Sequence, residues 1–297
     1  MDALFIGHAY VDVTMLAEAL PEGDEKSVAE DYSVSFGGAA VTAAFCCAKL
    51  GVSPDLLAPV ARDWLGHMLM DMTANYGLRL HMRRVARSSI SFIFPHDGQR
   101  SILSARDDHY LQSFPRLDLS SARLLHLDGH MADAALHYAK AARAKGVLVS
   151  LDGGALRPGL LELLEHVDVA IVAMDLCRQM QLGAGEMLGL LREKGCRVAG
   201  VTDSERGLLW AEGDGALRRT RALDVPAEKI VDASGAGDVF HGAYCASYLE
   251  RPEAPWDEHF RFARAASAHK VQHLGNEAGL PCKAEVALAQ RRFAERN

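Results

Sequence analysis

Residues 232–244 read DASGAGDVFHGAY, with two isolated glycines, a hydroxyl residue and a carboxylate set at the start of an apolar run. Gly235 and Gly237 free the backbone for dihedrals closed to other residues and keep side chains away from the peptide N–H groups. A helix that begins at about Gly235 and continues through AGDVFHGAYCASYL presents unpaired N–H groups and the positive end of its dipole to an anion. Asp238 falls in its first turn, beside that cradle. An anion hole next to a carboxylate suits phosphoryl transfer: the amides stabilise charge on the transferring group while the acid takes a proton from the attacking hydroxyl. Taken alone, Gly-Ala-Gly-Asp also suits an ordinary turn whose acid complements the helix dipole.

Upstream of this turn, short apolar runs alternate with helix-length segments. LFIG (4–7), PDLLAPV (54–60), ARLLHLD (122–128), GVLVSLD (146–152), DVAIVA (168–173) and CRVAGVTD (196–203) read as strands. AAVTAAFCCAKLG, DWLGHMLMDMTANYG, MADAALHYAKAARAKG, PGLLELLEH and AGEMLGLLREKG read as helices, several ending at a glycine cap. The pattern predicts an α/β fold, a mostly parallel central sheet covered by helices on both faces, with ligands bound beyond the carboxyl ends of the strands. No repeat or long linker divides residues 1–297, which read as one domain. Segments of about 10–36 and 79–105 break the alternation. In the second, LRLHMRRV, SSISFIFP and QRSILSA read as strands joined by polar turns, among them HDGQ (96–99). A small antiparallel sheet projecting as a lid accounts for both segments.

Composition narrows the partners. The 297 residues carry a formal net charge of −7 with both signs spread along the chain, so the basic stripe required by nucleic acid is missing. No apolar run approaches the roughly 20 residues that cross a bilayer, and MDALFIGHAYVDV lacks a basic leader, so a cytoplasmic protein without membrane partners is expected. Six cysteines lie in apolar or helical surroundings without a Cys-x-x-Cys pair, which predicts reduced, mostly buried thiols.

DASGAGDVFHGAY closely resembles the C-terminal signature of the ribokinase-like, PfkB-type carbohydrate kinases. GHAYVDV (7–13), FGGAAVTAA (36–44), VTDSERG (201–207) and HKVQHLGNEAGLP (269–281) extend the resemblance over essentially the whole chain, in the family's order. The resemblance implies an α/β core with a β-sheet lid, ATP as phosphoryl donor and Mg²⁺ as counter-ion. It makes Asp238 the base, with Gly235, Ala236 and Gly237 as the anion hole. No Gly-x-x-x-x-Gly-Lys-Ser/Thr sequence is present, so ATP would be handled without a P-loop.

On the acceptor side the resemblance brings Asp12 to sugar hydroxyls and Gly37 and Gly38 to the substrate at a helix start. Thr42 stands where the family often has Asn. Lys26, Arg100, Arg106 and Asp107 are lid candidates to face the pocket, with Lys26 or Arg106 able to hold an anionic group. On the nucleotide side Thr202, Ser204 and Gly207 match best, with Ser204 in place of a common Gly. Met174 and Cys177 occupy the positions of a metal-supporting Asn-x-x-Glu, and neither is a magnesium ligand. Asp175 is the substitute candidate, and the metal-supporting residues are otherwise unassigned. Arg157, in LDGGALRP, resembles the Arg of an Asp-x-Asn-x-Arg element shifted by one residue and without its Asn, and the resemblance implies a role near the transferred phosphate. His269 and His273 share a helical spacing but lack a third ligand, and His126 and His130 suit packing or pocket lining.

The expected activity is ATP-dependent phosphorylation of a hydroxyl on a sugar or sugar-like molecule. The alternatives are a nucleoside kinase and a catalytically weak binding or regulatory protein on the same fold. The apolar SISFIFP run further predicts a homodimer through the lid.

Overall fold

The computed structural model describes residues 1–96 and 99–296. In chain order its elements are β1 (Ala3–Ile6), β2 (Tyr10–Leu16), β3 (Asp31–Gly37), α1 (Ala39–Lys49), β4 (Asp55–Val60), α2 (Trp64–Asn75), β5 (Arg79–Arg84), β6 (Ser89–His96), β7 (Gln99–Ala105), β8 (Leu124–Leu127), α3 (Ala132–Ala144) and β9 (Leu148–Gly153). There follow α4 (Leu160–Leu164), β10 (Val169–Ala173), α5 (Met174–Gln179), α6 (Ala184–Glu193), β11 (Val198–Thr202), β12 (Leu208–Glu212), β13 (Arg218–Thr220), α7 (Ala236–Glu250), α8 (Trp256–Lys270) and α9 (Lys283–Arg292). The central sheet has the order β13-β12-β11-β10-β9-β8-β1-β4-β5, and only β12 and β13 run antiparallel to their neighbours.

Both faces of this sheet are buried, which is why its strands read as continuous apolar runs. Along β1, Ala3 and Phe5 enter one core with α1, α7 and α8, while Leu4 and Ile6 enter a second core with α3 and α6. Strand β10 divides in the same way, with Val169 and Ile171 on one side and Ala170 and Val172 on the other. Helix α7 is buried nearly all round and packs closely on α1. A Cβ at Gly242 would stand 2.4 Å from the carbonyl oxygen of Ala43, so glycine sets the approach of the two helices.

The second sheet has the order β3-β2-β6-β7, with β2 and β6 parallel and the outer pairs antiparallel, a mixed sheet where an antiparallel one was expected. The lid expectation needs a further correction. LRLHMRRV contributes β5, which pairs in parallel with β4 at the edge of the central sheet, so from 79–105 only residues 89–105 supply lid strands. The alternating pattern of β5 fits either sheet; the crossover through α2 delivers it beside β4. The HDGQ turn includes residues 97 and 98, which lie outside the described residues. Each paired row of the lid points one way. Ser35, Asp12 and Ser91 form a buried polar row facing the body of the protein, continued by the exposed Ser104, while Val34, Val13, Phe92 and Leu103 form an apolar row on the other face.

All six cysteines are free thiols, five of them buried. Among the described residues no helix is long and apolar enough to cross a membrane.

Candidate active site

The carboxyl ends of β1, β8, β9, β10 and β11 lie along one edge of the sheet, because these strands are parallel. From β1 the sheet grows through β4 and β5 on one side and, after the lid strands, through β8 to β13 on the other, so the switch point lies between β1 and β8. Four acids gather around this edge: Asp12 from the lid, Asp128 after β8, Asp152 in β9 and Asp238 at the start of α7.

Helix α7 begins after Gly235, which has φ +71° and offers no side-chain cap. A Cβ at Gly235 would stand 2.2 Å from Oδ1 of Asn276, whereas one at Gly237 would meet nothing within 4 Å. The first turn is therefore tightly backed at Gly235 and open in front of Gly237. Asp238 occupies that turn, as the sequence spacing predicts. Burial pushes its carboxyl up to about 6; the Arg100 guanidinium and the Lys270 ammonium oppose the rise and Asp128 adds to it. Burial also raises Asp152 well above the usual carboxylate range, with the Asp238 charge adding to the effect. Nε2 of His241 lies 3.6 Å from Oδ2 of Asp152.

Asp12 is 7% exposed and accepts a hydrogen bond from Nδ2 of Asn276 at 3.1 Å. Burial and the nearby Asp238 charge push it up to about 7, against hydrogen bonds from Ser91 and Asn276. The same amide of Asn276 donates to the Phe36 carbonyl at 2.9 Å. Gly37 is required beneath Asp12, since a Cβ there would stand 2.2 Å from its carboxylate, and Gly38 caps α1 with φ +100°. Thr42 lies wholly buried within α1, and its hydroxyl has no partner among the described residues.

Among the lid candidates, Arg100 acts electrostatically on both Asp238 and Lys270, and Arg106 acts on Tyr10, His8 and His130. Lys26 is not brought to them: it is exposed in the β2–β3 connection and forms no ion pair or hydrogen bond among the described residues. Asp107 is also no pocket residue. It accepts the backbone N–H groups of Ala86, Arg87 and His109, fixing the chain where it leaves β7.

At the end of β11, Thr202 Oγ1 donates to the Val172 carbonyl at 3.3 Å. Ser204 adopts φ +38°, so serine here keeps a backbone conformation that glycine favours. Gly207 has φ +80°, and a Cβ there would stand 2.2 Å from the Thr220 carbonyl oxygen. Cys177 is buried, Met174 packs against the same core, and the exposed Asp175 is engaged by Arg178. Helix α8 ends at Lys270, so His273 lies in the following turn, where its Nδ1 donates to the His269 carbonyl at 3.0 Å. His126 is buried against Ser150.

Sequence reasoning missed Lys270, Asp232, Asn276, His8 and Asp128. Asp232 opens the motif and Lys270 and Asn276 lie in the HKVQHLGNEAGLP stretch, so the signal was adjacency to recognised segments.

Three comparisons bear on this geometry. The family model described as pfkB family carbohydrate kinase matches residues 2–282. Among curated relatives, ribokinase of Haemophilus influenzae is 23% identical over 88% of this chain and 89% of its own. The ATP-dependent ribose-1-phosphate kinase of Halopiger xanaduensis is 25% identical over 98% of each. Among solved structures, Arabidopsis thaliana ribokinase complexed with ribose and ATP superposes with a TM-score of 0.83 at 23% identity over 99% of each chain. Xylella fastidiosa fructokinase with bound ATP gives 0.80 at 22% identity over 98% of each. Sequence order, sheet topology and the matched span agree, and the chain belongs to the pfkB family of carbohydrate kinases.

Proposed function

We propose that the protein transfers the γ-phosphoryl group of ATP to a hydroxyl of a sugar or sugar-like small molecule. The acceptor oxygen bonds to the γ-phosphorus, the bond to the β,γ-bridging oxygen breaks, ADP leaves, and the hydroxyl proton passes to Asp238. The observation that carries this reading is the uncapped first turn of α7, open in front of Gly237 and holding Asp238 beside the Asp12–Asn276 pair. The 235–237 amides stabilise the transferring group, and Asp12 and Asn276 orient the acceptor, with Gly37 and Gly38 allowing its close approach.

The residues present fit a nucleotide phosphate. The space in front of Gly237 is open, the Ser234 hydroxyl is buried without a partner among the described residues, and Thr202, Ser204 and Gly207 lie at a turn on the same sheet edge. Among the described residues no group of three His, Cys, Asp or Glu is arranged to cage a metal ion. Mg²⁺ carried by ATP would keep several waters and need one or two carboxylates besides the phosphates. Asp238 and Asp152 are the carboxylates at hand. When bound, Mg²⁺ neutralises charge between the β- and γ-phosphates.

The lid closes over the acceptor with its polar row of Ser35, Asp12, Ser91 and Ser104, excluding water. A second copy covers its outer apolar row, on which Leu103 is 72% exposed and Phe92 36%. The kinase reading is tested by measuring ADP release across neutral sugars, sugar acids, sugar phosphates and nucleosides, with Asp238→Asn as the control. Loss of roughly 10²–10⁴-fold in turnover with both substrates still bound is expected. Near-normal transfer by the variant removes Asp238 as the base, and tight sugar binding without any turnover favours a binding protein.

A further inference from the structure

Eight buried side-chain nitrogen or oxygen atoms lack a hydrogen-bond partner among the described residues, and five belong to His8, Thr42, Arg157, Ser234 and Asn276. Such atoms are rare in folded proteins, and His8, Arg157, Ser234 and Asn276 lie at or beside the carboxyl edge of the sheet, where they are free to bond a ligand. Ser234 belongs to the phosphate side and Asn276 to the acceptor hydroxyls. His8 and Arg157 hold none of the roles given above to the α7 turn, Asp12 and Asn276.

Arg157 follows β9 and lays its side chain against Gly129, where a Cβ would stand 3.4 Å from its Cδ and 3.9 Å from its Nε. It forms no ion pair or hydrogen bond through its guanidinium among the described residues, although its Nε is buried. The imidazole of His8 lies 4.8 Å from the Tyr10 ring and 5.1 Å from that of His130, so β1 and β8 present a patch of polar rings beside Gly129. Arg106 approaches the same patch from the lid, and its one ion pair among the described residues, to Asp108 at 3.2 Å, is between half-exposed side chains and readily exchanged.

Of the acids facing this patch, Asp108 acts on His8 and His130 and pairs with Arg106, while the others are engaged elsewhere. Asp128 uses its oxygens on the backbone N–H groups of His8, Ala40 and His130, and Asp12 is held by Asn276. Asp152 and Asp128 act on Arg157 only at a distance. Burial first, and then neighbouring positive groups, hold His8 down to about 4 and His130 down to about 3, so both rings are neutral N–H donors. Two arginines and neutral ring donors match a planar or tetrahedral oxyanion, because a guanidinium fork pairs with two oxygens at once.

We propose that the acceptor carries an acidic group, a carboxylate or a phosphate, held by Arg157 and Arg106 beside His8, Tyr10 and His130 while its reacting hydroxyl lies at Asp238. This rests on the kinase reading above and narrows its substrate class from sugars in general to acidic sugars.

The test compares D-fructose with D-fructose 6-phosphate and D-glucose with D-gluconate, measuring ATP-dependent phosphorylation and, by calorimetry, binding. The acidic member of at least one pair is expected to exceed its neutral partner by about 10-fold or more in kcat/KM. The pair that responds separates phosphate from carboxylate. Arg157→Met is expected to raise KM for that acid about 30-fold, well beyond its effect on the neutral partner, and Arg157→Lys to recover part of the loss. Neutral sugars preferred in both pairs, or equal losses for acid and neutral sugar in Arg157→Met and Arg106→Met, would overturn the acidic class and leave the kinase standing. Binding of an acid that Arg157→Met abolishes, with no phosphorylation of any sugar, would keep the subsite and overturn the kinase. Acids neither bound nor phosphorylated would overturn the subsite.

Discussion

Lys270 places its ammonium nitrogen 3.3 Å from Oδ2 of Asp232, and both side chains are completely closed to solvent. The same ammonium donates to the carbonyls of Asp232 at 3.1 Å and His273 at 3.3 Å, while Asp232 accepts the N–H groups of Ser234 and Gly275. Gly279 leaves room for the lysine stem, since a Cβ there would stand 2.1 Å from its Cδ. The pair thus ties the turn before α7 to the loop after α8, and so sets Gly235 against Asn276. Burial lowers the Lys270 pKa, with the Asp232 charge opposing.

Removing one partner of such a pair strands the other charge. Lys270→Met should cost about 3–5 kcal/mol of stability and lower turnover, because the anion-hole turn loses its fastening. Adding Asp232→Asn should recover part of the stability, and a denaturant-based double-mutant cycle measures the coupling. A fully additive cycle would contradict the fastening role.

Gly235→Ala and Gly237→Ala should separate backbone from site. At Gly235 an alanine takes a left-handed conformation costing about 1–2 kcal/mol, and its Cβ drives into Asn276, which also holds Asp12. Its expected signature is lower thermal stability with a raised KM for the acceptor. At Gly237 the added methyl has room and improves helix propensity, so stability should hold or rise while the KM for ATP increases. Thermal melts beside steady-state kinetics check both.

The acids of the site make a signed prediction in pH. Asp238 at about 6 and Asp12 at about 7 keep protons in the folded chain that the unfolded chain has lost above about 4. Their contribution to stability is therefore complete below about pH 4 and declines as pH rises through 6 and 7. The buried neutral histidines His8, His126 and His130 act oppositely below about 6.5, so the useful quantity is a difference. Asp12→Asn and Asp238→Asn should gain stability relative to the parent chain between pH 5 and pH 8 in urea titrations. In the parent chain kcat/KM should rise with pH through about 6 as the base loses its proton.

Leu103 and Phe92, paired across β6 and β7 on the outer lid face, should lie in the contact between two copies. Leu103→Glu would bury a charge there, so light scattering should change from a dimer to a monomer with the fold retained. A monomeric parent chain at all concentrations would contradict pairing through this face.

The amino-acid sequence by itself determined the alternation of strands and helices, the start of α7 and the glycines of its first turn. These rest on local physics: an apolar run fills a two-sided sheet, and a glycine is needed wherever a positive φ or a close backbone contact falls. Gly38, Gly207 and Gly235 all show such dihedrals. Asp238 was legible for the same reason, being three residues from Gly235 on one helical turn.

Tertiary structure alone decided what depends on distant partners. The alternating pattern of β5 fits a lid strand as well as an edge strand of the central sheet, and its pairing with β4 places it in the latter. Lys26 and Lys270 are both single lysines in the sequence, but Lys270 meets a carboxylate 38 residues away and is buried, while Lys26 meets none among the described residues and is exposed. Asp107 and Asp12 are both lid carboxylates. Backbone N–H groups consume the first, and Asn276, 264 residues from Asp12, holds the second at the site. Burial of a charge is permitted only where the fold supplies its counter-charge or hydrogen bonds, and those lie far off in sequence.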